Sequence, residues 1–574
     1  MNGSERILKT LMDHGINESF GYPGGSIIPL FDAIYETGGK FKNILTRHEQ
    51  AAAHAADAYA RVKGTAGIAI ATSGPGATNL ITGIATAHLD SSPLIAFGGQ
   101  VPVALLGNDA FQESDMMGIT QPITKHNYQI RDPNKVGETI TKSIKIATTG
   151  RPGPVYIEIP RDPQIGEVTK ETPKNIQLPT YNPTMHGHPE QIKKAAKLIL
   201  ESSRPVIIAG GGVIISNASQ ELNQLVESTL TPVTTTLMGK GAFPENHPLC
   251  LGMLGMHGRK SANYAIIESD LIISLGCRFS DRITGNKDTF TNNAKLIHID
   301  IDPAEIGKNI PVDLPIVGDL KCILKDLNMY IKAITDKHAR TGKETGWSKK
   351  IKEINKLCNC NTDINTYPIN PKKIIHELNT SIKDTDIITT GVGQHQMYAA
   401  HYLKRKYPRT FISSGGMGTM GFGFPAAIGA KIAKPGCEVY DIDGDGSFSM
   451  NIQELATLKE ENIKVIPLIF ENNYLGMVRQ WLEIFYEKRY SGVNLGKSTD
   501  FTKIAEGYHL NGITTERSSE IAEALKQATK NPESTIITIK IEPESNILPM
   551  LPPDGSITEA FGGCITKKGH YFNI

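Results

Sequence analysis

Residues 441–478, DIDGDGSFSMNIQELATLKEENIKVIPLIFENNYLGMV, predict a strand, a glycine-rich turn, a helical segment and a second strand. A unit of this size brings its two strands together as parallel neighbours. We therefore expect Asp445 and Asn472 to lie side by side at the carboxyl edge of a sheet. One carboxylate and one amide oxygen suit Mg²⁺, which takes phosphate oxygens for the rest of its shell. Gly446 and Ser447 would turn backbone N–H groups toward such an anion.

The same alternation of short apolar strands and helical patterns runs along the whole chain. It predicts an α/β protein with mostly parallel sheets flanked by helices. The 574 residues are enough for three or four domains of roughly 150 residues each. Polar, proline-containing stretches divide the chain, and we expect three successive domains at residues 1–165, 188–340 and 371–574.

Charge and composition exclude several classes of protein. Lys and Arg number 60 and Asp and Glu number 59, so nothing indicates a nucleic acid or an acidic membrane as partner. No apolar run approaches the ~20 residues of a membrane span, and the charged N-terminus does not resemble a signal peptide. Seven scattered cysteines favour a reducing compartment. We therefore expect a cytoplasmic protein.

Three more segments have the pattern of ligand-binding turns. GVGQHQM, at 391–397, follows a strand and opens a helix, which predicts a turn of backbone donors. SGGMGTMGFGFPAAIGA, at 414–430, is so rich in glycine that we expect a close-contact loop. Glu49, in RHEQ, stands where a strand gives way to a helix. Its position alone is also typical of a carboxylate that the helix dipole stabilises.

The Gly-Asp-Gly turn with its downstream Asn472 resembles the cofactor motif of thiamine-diphosphate-dependent enzymes. The resemblance implies that Asp445, Asn472 and the backbone carbonyl of Tyr474 hold Mg²⁺, and that Met420 lies beneath the cofactor. It departs from the family at Glu471, where an Asn is usual. It also implies a thiamine-binding fold in the first and third domains, and contacts to the cofactor from Val392, Gly393, Gln394, His395, Gly418, Gly446 and Ser447.

The resemblance gives Glu49 a catalytic role. In this family a glutamate of the first domain hydrogen-bonds the aminopyrimidine ring of the cofactor and shares a proton with it. Such a carboxyl group should be buried and its pKa raised. The family builds each site from two subunits, so the resemblance implies a homodimer or homotetramer with the active site at the dimer interface.

Four segments resemble acetohydroxyacid synthases in particular: residues 98–128, 236–258, 274–285 and 473–481. The resemblance implies decarboxylation of pyruvate and transfer of the two-carbon group to a second pyruvate or to 2-ketobutyrate. The products, 2-acetolactate or 2-aceto-2-hydroxybutyrate, lead to valine, leucine and isoleucine. A small regulatory subunit is a further expected partner. The resemblance places Gly25, Phe111 and Gln112 at the catalytic centre, Met477 and Trp481 at the acceptor pocket, and Pro102, Asp281 and Trp481 at an inhibitor tunnel.

Two cations are candidates to bind the carboxylate of the acceptor, Lys125 and Arg278. The middle domain carries GGG at 210–212 after a strand but no G-x-G-x-x-G fingerprint, so a purely structural domain stays an alternative on its residues alone. The resemblance implies a Rossmann-like domain that binds a structural FAD, despite Ser280 where the family has Asp. The implied FAD contacts are Arg151, Gly211, Gly212, Leu237, Met256, His257, Gly276, Arg278, Asp281, Asp300 and Asp319.

Three other functions fit part of the pattern. A pyruvate oxidase would use the same cofactors but reduce its flavin and release no acetolactate. A catabolic acetolactate synthase would contain no FAD. A non-catalytic cofactor-binding protein would have no need of Glu49, Asp445 and Asn472 together.

Overall fold

The computed structural model describes residues 1–173, 176–291, 294–338, 344–358 and 360–563. Its strands form three sheets of six, and every strand pair is parallel. The fold class predicted from the sequence is confirmed: three α/β domains follow one another along the chain. Among the described helices, none combines the length and hydropathy that a bilayer crossing requires.

The strands of each sheet follow one another in the chain. The first sheet contains β1 (Glu18–Gly21), β2 (Lys42–Leu45), β3 (Gly67–Ala71), β4 (Leu94–Gln100), β5 (His126–Gln129) and β6 (Val155–Pro160). The second contains β7 (Pro205–Ala209), β8 (Val233–Thr235), β9 (Cys250–Met253), β10 (Leu271–Leu275), β11 (Lys295–Asp300) and β12 (Leu314–Val317). The third contains β13 (Ile387–Thr390), β14 (Phe411–Ser413), β15 (Val439–Gly444), β16 (Ile466–Glu471), β17 (Asn511–Thr515) and β18 (Thr535–Lys540).

In each sheet, one pair of adjacent strands separates connections that run in opposite directions. The orders are β2-β1-β3-β4-β6-β5, β12-β11-β10-β7-β8-β9 and β14-β13-β15-β16-β18-β17. Successive connections therefore leave in opposite directions from the pairs β1/β3, β7/β10 and β13/β15. The carboxyl ends of such a pair open a crevice, which is where open parallel sheets bind ligands.

Helices cover both faces of the sheets. The first domain has α1 (Gly3–Asp13), α2 (Ile28–Glu36), α3 (Glu49–Lys63), α4 (Pro75–Asn79), α5 (Ile81–Asp90), α6 (Met116–Thr120), α7 (Val136–Thr148) and α8 (Arg161–Ile165). The second has α9 (Pro189–Glu201), α10 (Gly211–Ile215), α11 (Ser219–Thr229), α12 (Lys260–Glu268), α13 (Asp281–Thr284), α14 (Leu320–His338) and α15 (Gly346–Leu357). The third has α16 (Pro371–Ser381), α17 (Gln394–Tyr402), α18 (Gly423–Ala433), α19 (Asp445–Phe448), α20 (Leu455–Glu460), α21 (Gly476–Phe485), α22 (Phe501–Gly507) and α23 (Ile521–Lys530).

Two stretches depart from the sequence-based expectation. The stretch between the second and third domains contains α15, which buries Trp347, Ile351 and Ile354, so it is not only a linker. The loop expected at 414–430 ends early, because α18 begins at Gly423. A β-carbon at Gly429 would lie 1.9 Å from the carbonyl oxygen of Ala55 in α3. Glycine serves here to let two buried helices touch, and that packing outweighs its low helix propensity.

The first and third domains share one buried core along the contact of α3 with α18. A buried ion triad lies at this contact: Arg61 binds Asp57 at 2.6 Å and Asp90 at 3.1 Å. Asp90 also accepts the N–H groups of Gly415 and Gly416 at 3.2 and 2.6 Å. The first domain therefore holds the start of the glycine-rich loop of the third.

Candidate functional site

The ends of β15 and β16 bring together the two polar groups that the sequence pairs. One oxygen of Asp445 accepts the N–H groups of Asn472 and Asn473 at 3.1 and 2.6 Å. The side-chain oxygen of Asn472 accepts the N–H of Tyr474 at 3.0 Å. The turn after the strand thus points a carboxylate and an amide oxygen into the same space, with backbone donors fixing both.

Burial dominates the electrostatics of this carboxylate. It raises the pKa of Asp445 to about 6, against the opposing effect of the N–H groups of Asn473, Gly446 and Asn472. A buried carboxylate gains from a cation, because a positive charge favours its ionised form. The group is therefore placed and tuned as a cation ligand would be.

A cavity opens above this pair at the β13/β15 crevice. Its lining residues all come from the third domain. Gly446 and Met420 meet there, since a β-carbon on Gly446 would lie 3.7 Å from the methyl of Met420. Gly418, with a φ of +66°, bends the loop that leads to Met420. Eleven of the predicted residues line the cavity: Val392, Gly393, Gln394, His395, Met420, Asp445, Gly446, Ser447, Asn472, Tyr474 and Met477.

Two further carboxylates lie beneath the cavity. Asp441 accepts the hydroxyl of Thr389 at 3.0 Å, and Asp443 accepts the N–H of Gly444 at 2.9 Å. Burial raises the pKa of Asp443 to about 7 and lowers that of the neighbouring His395 to about 3. The sequence analysis missed both aspartates. The sequence did contain a sign of them. A central parallel strand is normally apolar on both faces, whereas D-I-D-G-D places acidic residues on one face of such a strand.

Glu49 begins α3 and is only 8% exposed, so the predicted burial is confirmed. Its carboxylate accepts the side-chain amide of Asn79 at 2.9 Å. The other oxygen faces Gly76, whose β-carbon would come within 3.1 Å. Asn79 holds the carboxylate in one orientation, and sequence reasoning missed it because Asn79 lies on a separate helix 30 residues away.

Two other first-domain candidates, Gly25 and Gln112, lie by the turns that follow β1 and β3. Gly25 begins a short turn after β1, next to Ser26, whose hydroxyl lies 2.9 Å from that of Thr72 beyond β3. Gln112 has a φ of +61°. Its neighbour Phe111 is 88% exposed in the single chain.

Pro102 stands just before the turn Val103–Leu105, after the end of β4.

The two candidate cations differ in what they can still bind. Lys125 donates to the carbonyls of Ile146 and Thr149 and to the hydroxyl of Tyr181, at 2.5, 2.8 and 2.9 Å. An ammonium has three donors, so these contacts occupy all of them. Burial also lowers the pKa of Lys125 to about 8. Arg278 has no carboxylate at ion-pair distance within the described part of the chain, and burial lowers its pKa.

The predicted second-domain residues gather at the ends of β7, β10, β11 and β12. Gly211 and Gly212 open α10 after β7, and Gly276 follows β10. A β-carbon on Gly276 would lie 2.6 Å from the Cα of Gly212, so these turns touch directly. Asp300 ends β11, and burial raises its pKa to about 6. Asp319 precedes α14 and accepts the N–H of Cys322 at 3.1 Å.

The remaining predicted FAD residues lie on loops around this edge. Arg151 reaches across from the first domain to Asp302 at 3.1 Å and Glu305 at 2.7 Å. Leu237 opens a short turn after β8, and the ring of His257 lies 3.1 Å from the carbonyl of Pro549. The N–H of Met256 donates to the carbonyl of Arg282 at 2.8 Å.

Asp281 begins α13, and its side chain is 75% exposed.

Helix α21 carries Met477, which lines the cavity, and Trp481, about one turn farther along. Its buried Gln480 accepts the side-chain amide of Gln394 at 2.8 Å, which ties the helix to the turn that opens α17. Trp481 packs against Phe485 with 5.2 Å between ring centroids. Gln480 was not predicted, because in the sequence it looks the same as an exposed glutamine on a helix.

The crevice with Asp445 and Asn472, together with the buried Glu49, defines the class of thiamine-diphosphate enzymes. Three family models match the chain. They are the N-terminal TPP binding domain of thiamine pyrophosphate enzymes at residues 1–119, the central domain at 192–327 and the C-terminal TPP binding domain at 391–539.

Similarity over the full length of the chain identifies the family within this class. The chain is 54% identical over 568 residues to the probable acetolactate synthase large subunit of Methanocaldococcus jannaschii, covering 97% of this chain and 95% of the relative. It is 43% identical over 569 residues to the acetolactate synthase large subunit of Buchnera aphidicola (97% and 98%). It is 42% identical over 566 residues to that of Haemophilus influenzae (97% and 98%). The chain belongs to the acetolactate synthase large subunit family.

Proposed function

We propose that this enzyme decarboxylates pyruvate and joins the two-carbon group to a second pyruvate or to 2-ketobutyrate. The products would be 2-acetolactate and 2-aceto-2-hydroxybutyrate, the precursors of the branched-chain amino acids. The juxtaposition of Asp445 and Asn472 at the mouth of a cavity that also contains Met420 carries this proposal. The proposed place of action is the cytoplasm, and the proposed domain boundaries are 1–165, 188–340 and 371–574.

The donor set fits Mg²⁺ and a diphosphate. Asp445, Asn472 and the carbonyl of Tyr474 offer only oxygen atoms, the ligands that Mg²⁺ prefers, and phosphate oxygens would complete its shell. Gly446 and Ser447 follow at the start of a helical turn, where a β-carbon on Gly446 would lie 3.0 and 3.1 Å from the side chains of Leu475 and Leu495. Thiamine diphosphate, when bound, supplies the electron sink that lets a 2-keto acid lose CO₂.

Glu49 is the proposed proton carrier of the site. Its carboxylate is buried and oriented by Asn79. A carboxyl group held this way can take and return a proton at a ring nitrogen, without water competing for the hydrogen bond. Replacing Glu49 with Gln keeps the shape and removes the ionisable carboxyl group. We expect acetolactate formation to fall by about 10²-fold or more, and unchanged turnover would refute the proposal.

Two chains are proposed to build each site. The cavity is lined by the third domain, whereas Glu49 belongs to the first. Phe111, Met417 and Val478 expose 88%, 47% and 49% of their surface near these two halves, as expected of a face that a second copy covers.

A mixing experiment tests this arrangement. Glu49→Gln and Asp445→Asn should each be inactive alone. In a hybrid dimer, one site would receive both mutations and the other neither. Unfolding and refolding the two variants together should then restore activity to about a quarter of all sites. A mixture that stays inactive, with hybrids demonstrated by differential tags, would place each site within one chain.

FAD is proposed to bind at the β7/β10 crevice of the second domain. Arg278 offers a guanidinium without a carboxylate partner in the described residues, and Asp300 offers a buried carboxylate. The reaction involves no net redox change, so FAD would have a structural role. Purified protein should be yellow and Asp300→Ala should lose the flavin; a colourless native protein would favour the FAD-free alternative. A small regulatory subunit is a further proposed partner, which co-purification with a tagged chain would test.

A further inference from the structure

The turn that leads into Glu49 is held by the third domain of the same chain. The N–H of Arg47 donates to both oxygens of Glu454, at 2.9 and 3.1 Å. Glu454 is completely buried, and the hydroxyl of Thr457 lies 2.7 Å from its carboxylate. The same hydroxyl lies 3.0 Å from the carbonyl of Leu45. Glu454 and Thr457 therefore bind the backbone on both sides of Thr46.

A second carboxylate binds the same connection farther from the site. Glu461 accepts the N–H of Leu45 at 3.2 Å and pairs with Lys42 at 2.8 Å. Its contact is of the same kind as that of Glu454, a carboxylate of the third domain on a backbone N–H of the first. The two differ in position, because Arg47 lies two residues before Glu49 and Leu45 lies four.

The contact of Glu454 fixes where α3 begins. Arg47 and His48 precede the first helical residue, so the helix itself gives their N–H groups no partner. A buried carboxylate that accepts such an N–H forms a strong bond and would leave a costly unsatisfied charge if the turn moved. The direction in which Glu49 leaves the turn is therefore set by a residue of another domain.

We propose that Glu454 is a positioning residue for Glu49. It acts through the backbone of Arg47, and it holds the Glu49 carboxylate at the angle that proton exchange requires. This inference rests on the proposed role of Glu49. Glu454 also follows Asp445 by nine residues along one segment of the chain. In a dimer whose sites are shared, that segment would connect the metal ligand of one site to the proton carrier of the other.

Glu454→Gln tests the proposal, because it replaces one of the two oxygens that accept the N–H of Arg47 with an NH₂ donor and removes the negative charge. The first readout is exchange of the C2 proton of bound thiamine diphosphate, measured by quenched-flow proton NMR. We expect the exchange rate to fall about 10- to 100-fold, as for a misplaced catalytic group. The affinity for the cofactor should stay within about twofold, because Asp445 and Asn472 are untouched. The second readout needs no cofactor: amide hydrogen exchange of Arg47 and His48 in the apo protein should accelerate.

Glu461→Gln is the matched control, since it makes the same carboxylate-to-amide change at a similar contact between the domains. It should leave the C2 exchange rate within about twofold of wild type. If Glu454→Gln folds and exchanges like wild type, while Glu49→Gln does not exchange, the positioning role is refuted. If Glu49→Gln itself exchanges normally, the proposed function fails instead.

Should Glu454→Gln not fold, Thr457→Val removes the hydroxyl that contacts both Glu454 and the carbonyl of Leu45. A folded Thr457→Val with unchanged C2 exchange would equally refute the proposal; a fall of about threefold would support it.

Discussion

Replacing Arg61 with Met should destabilise the protein more than any change to a surface ion pair. Arg61 binds Asp57 through two nitrogens, at 2.6 and 2.8 Å, and Asp90 at 3.1 Å. The side chains of both aspartates are completely buried, and that of Arg61 is 12% exposed. Methionine would fill the volume but leave two buried carboxylates without a cation. Breaking a buried pair in this way costs about 3–5 kcal/mol.

The loss should depend on pH in a defined direction. Burial already raises the pKa of Asp90 with Arg61 present, and without the cation that pKa should rise further. A carboxyl group whose pKa is higher in the folded than in the unfolded protein is best tolerated when protonated. Its cost therefore grows as the pH rises through the folded pKa and shrinks as the pH falls toward about 4. The deficit of the variant should be smaller at pH 5 than at pH 8.

Urea unfolding followed by circular dichroism measures both effects. The control is Lys9→Met, which removes the exposed pair of Lys9 with Asp13 at 3.0 Å and should cost less than about 1 kcal/mol. A loss below about 1 kcal/mol for Arg61→Met, or a deficit that grows as the pH falls, would refute this account of the triad.

Three further changes have defined outcomes. Gly429→Ala should cost about 1–3 kcal/mol or more in urea unfolding, because its β-carbon would meet the carbonyl oxygen of Ala55 at 1.9 Å; Gly436→Ala, which meets nothing within 4 Å, should be close to neutral. Burial raises the pKa of Glu454 to about 7 despite the facing Arg47, so wild-type stability should decline between about pH 4.5 and 7, and Glu454→Gln should flatten that decline. Trp481→Leu should lower the ratio of acetohydroxybutyrate to acetolactate by about 10-fold in a mixed-acceptor assay, since one methylene of the acceptor would lose its contact; an unchanged ratio would remove Trp481 from the acceptor pocket.

The parallel α/β architecture was predictable because its signals are local. Strand, glycine turn and helix follow one another within about 30 residues. The right-handed crossover then determines on which side of the sheet each helix packs. The adjacency of Asp445 and Asn472 follows from that rule alone. The resemblance to thiamine enzymes then supplied the candidate residues that the structure gathers around one cavity.

What the sequence could not reveal depends on contacts between distant segments. Asn79 orients Glu49, Glu454 holds the turn before it, and Gln480 ties α21 to Gln394, yet none of these residues belongs to a local pattern. The glycines of α18 indicated a loop because helix propensity is a local measure. The packing of Gly429 on α3 overrides it, and only the tertiary structure shows that contact.

Product analysis of the purified protein tests the central claim most directly. Pyruvate, thiamine diphosphate, Mg²⁺ and FAD are supplied, with and without 2-ketobutyrate, and the products and the flavin spectrum are recorded together. Acetolactate from pyruvate alone, and mainly acetohydroxybutyrate from the mixture, with the flavin oxidised throughout, is the result that the site predicts. Acetate or acetyl phosphate with reduced flavin would contradict it and identify an oxidase built on the same cofactor site.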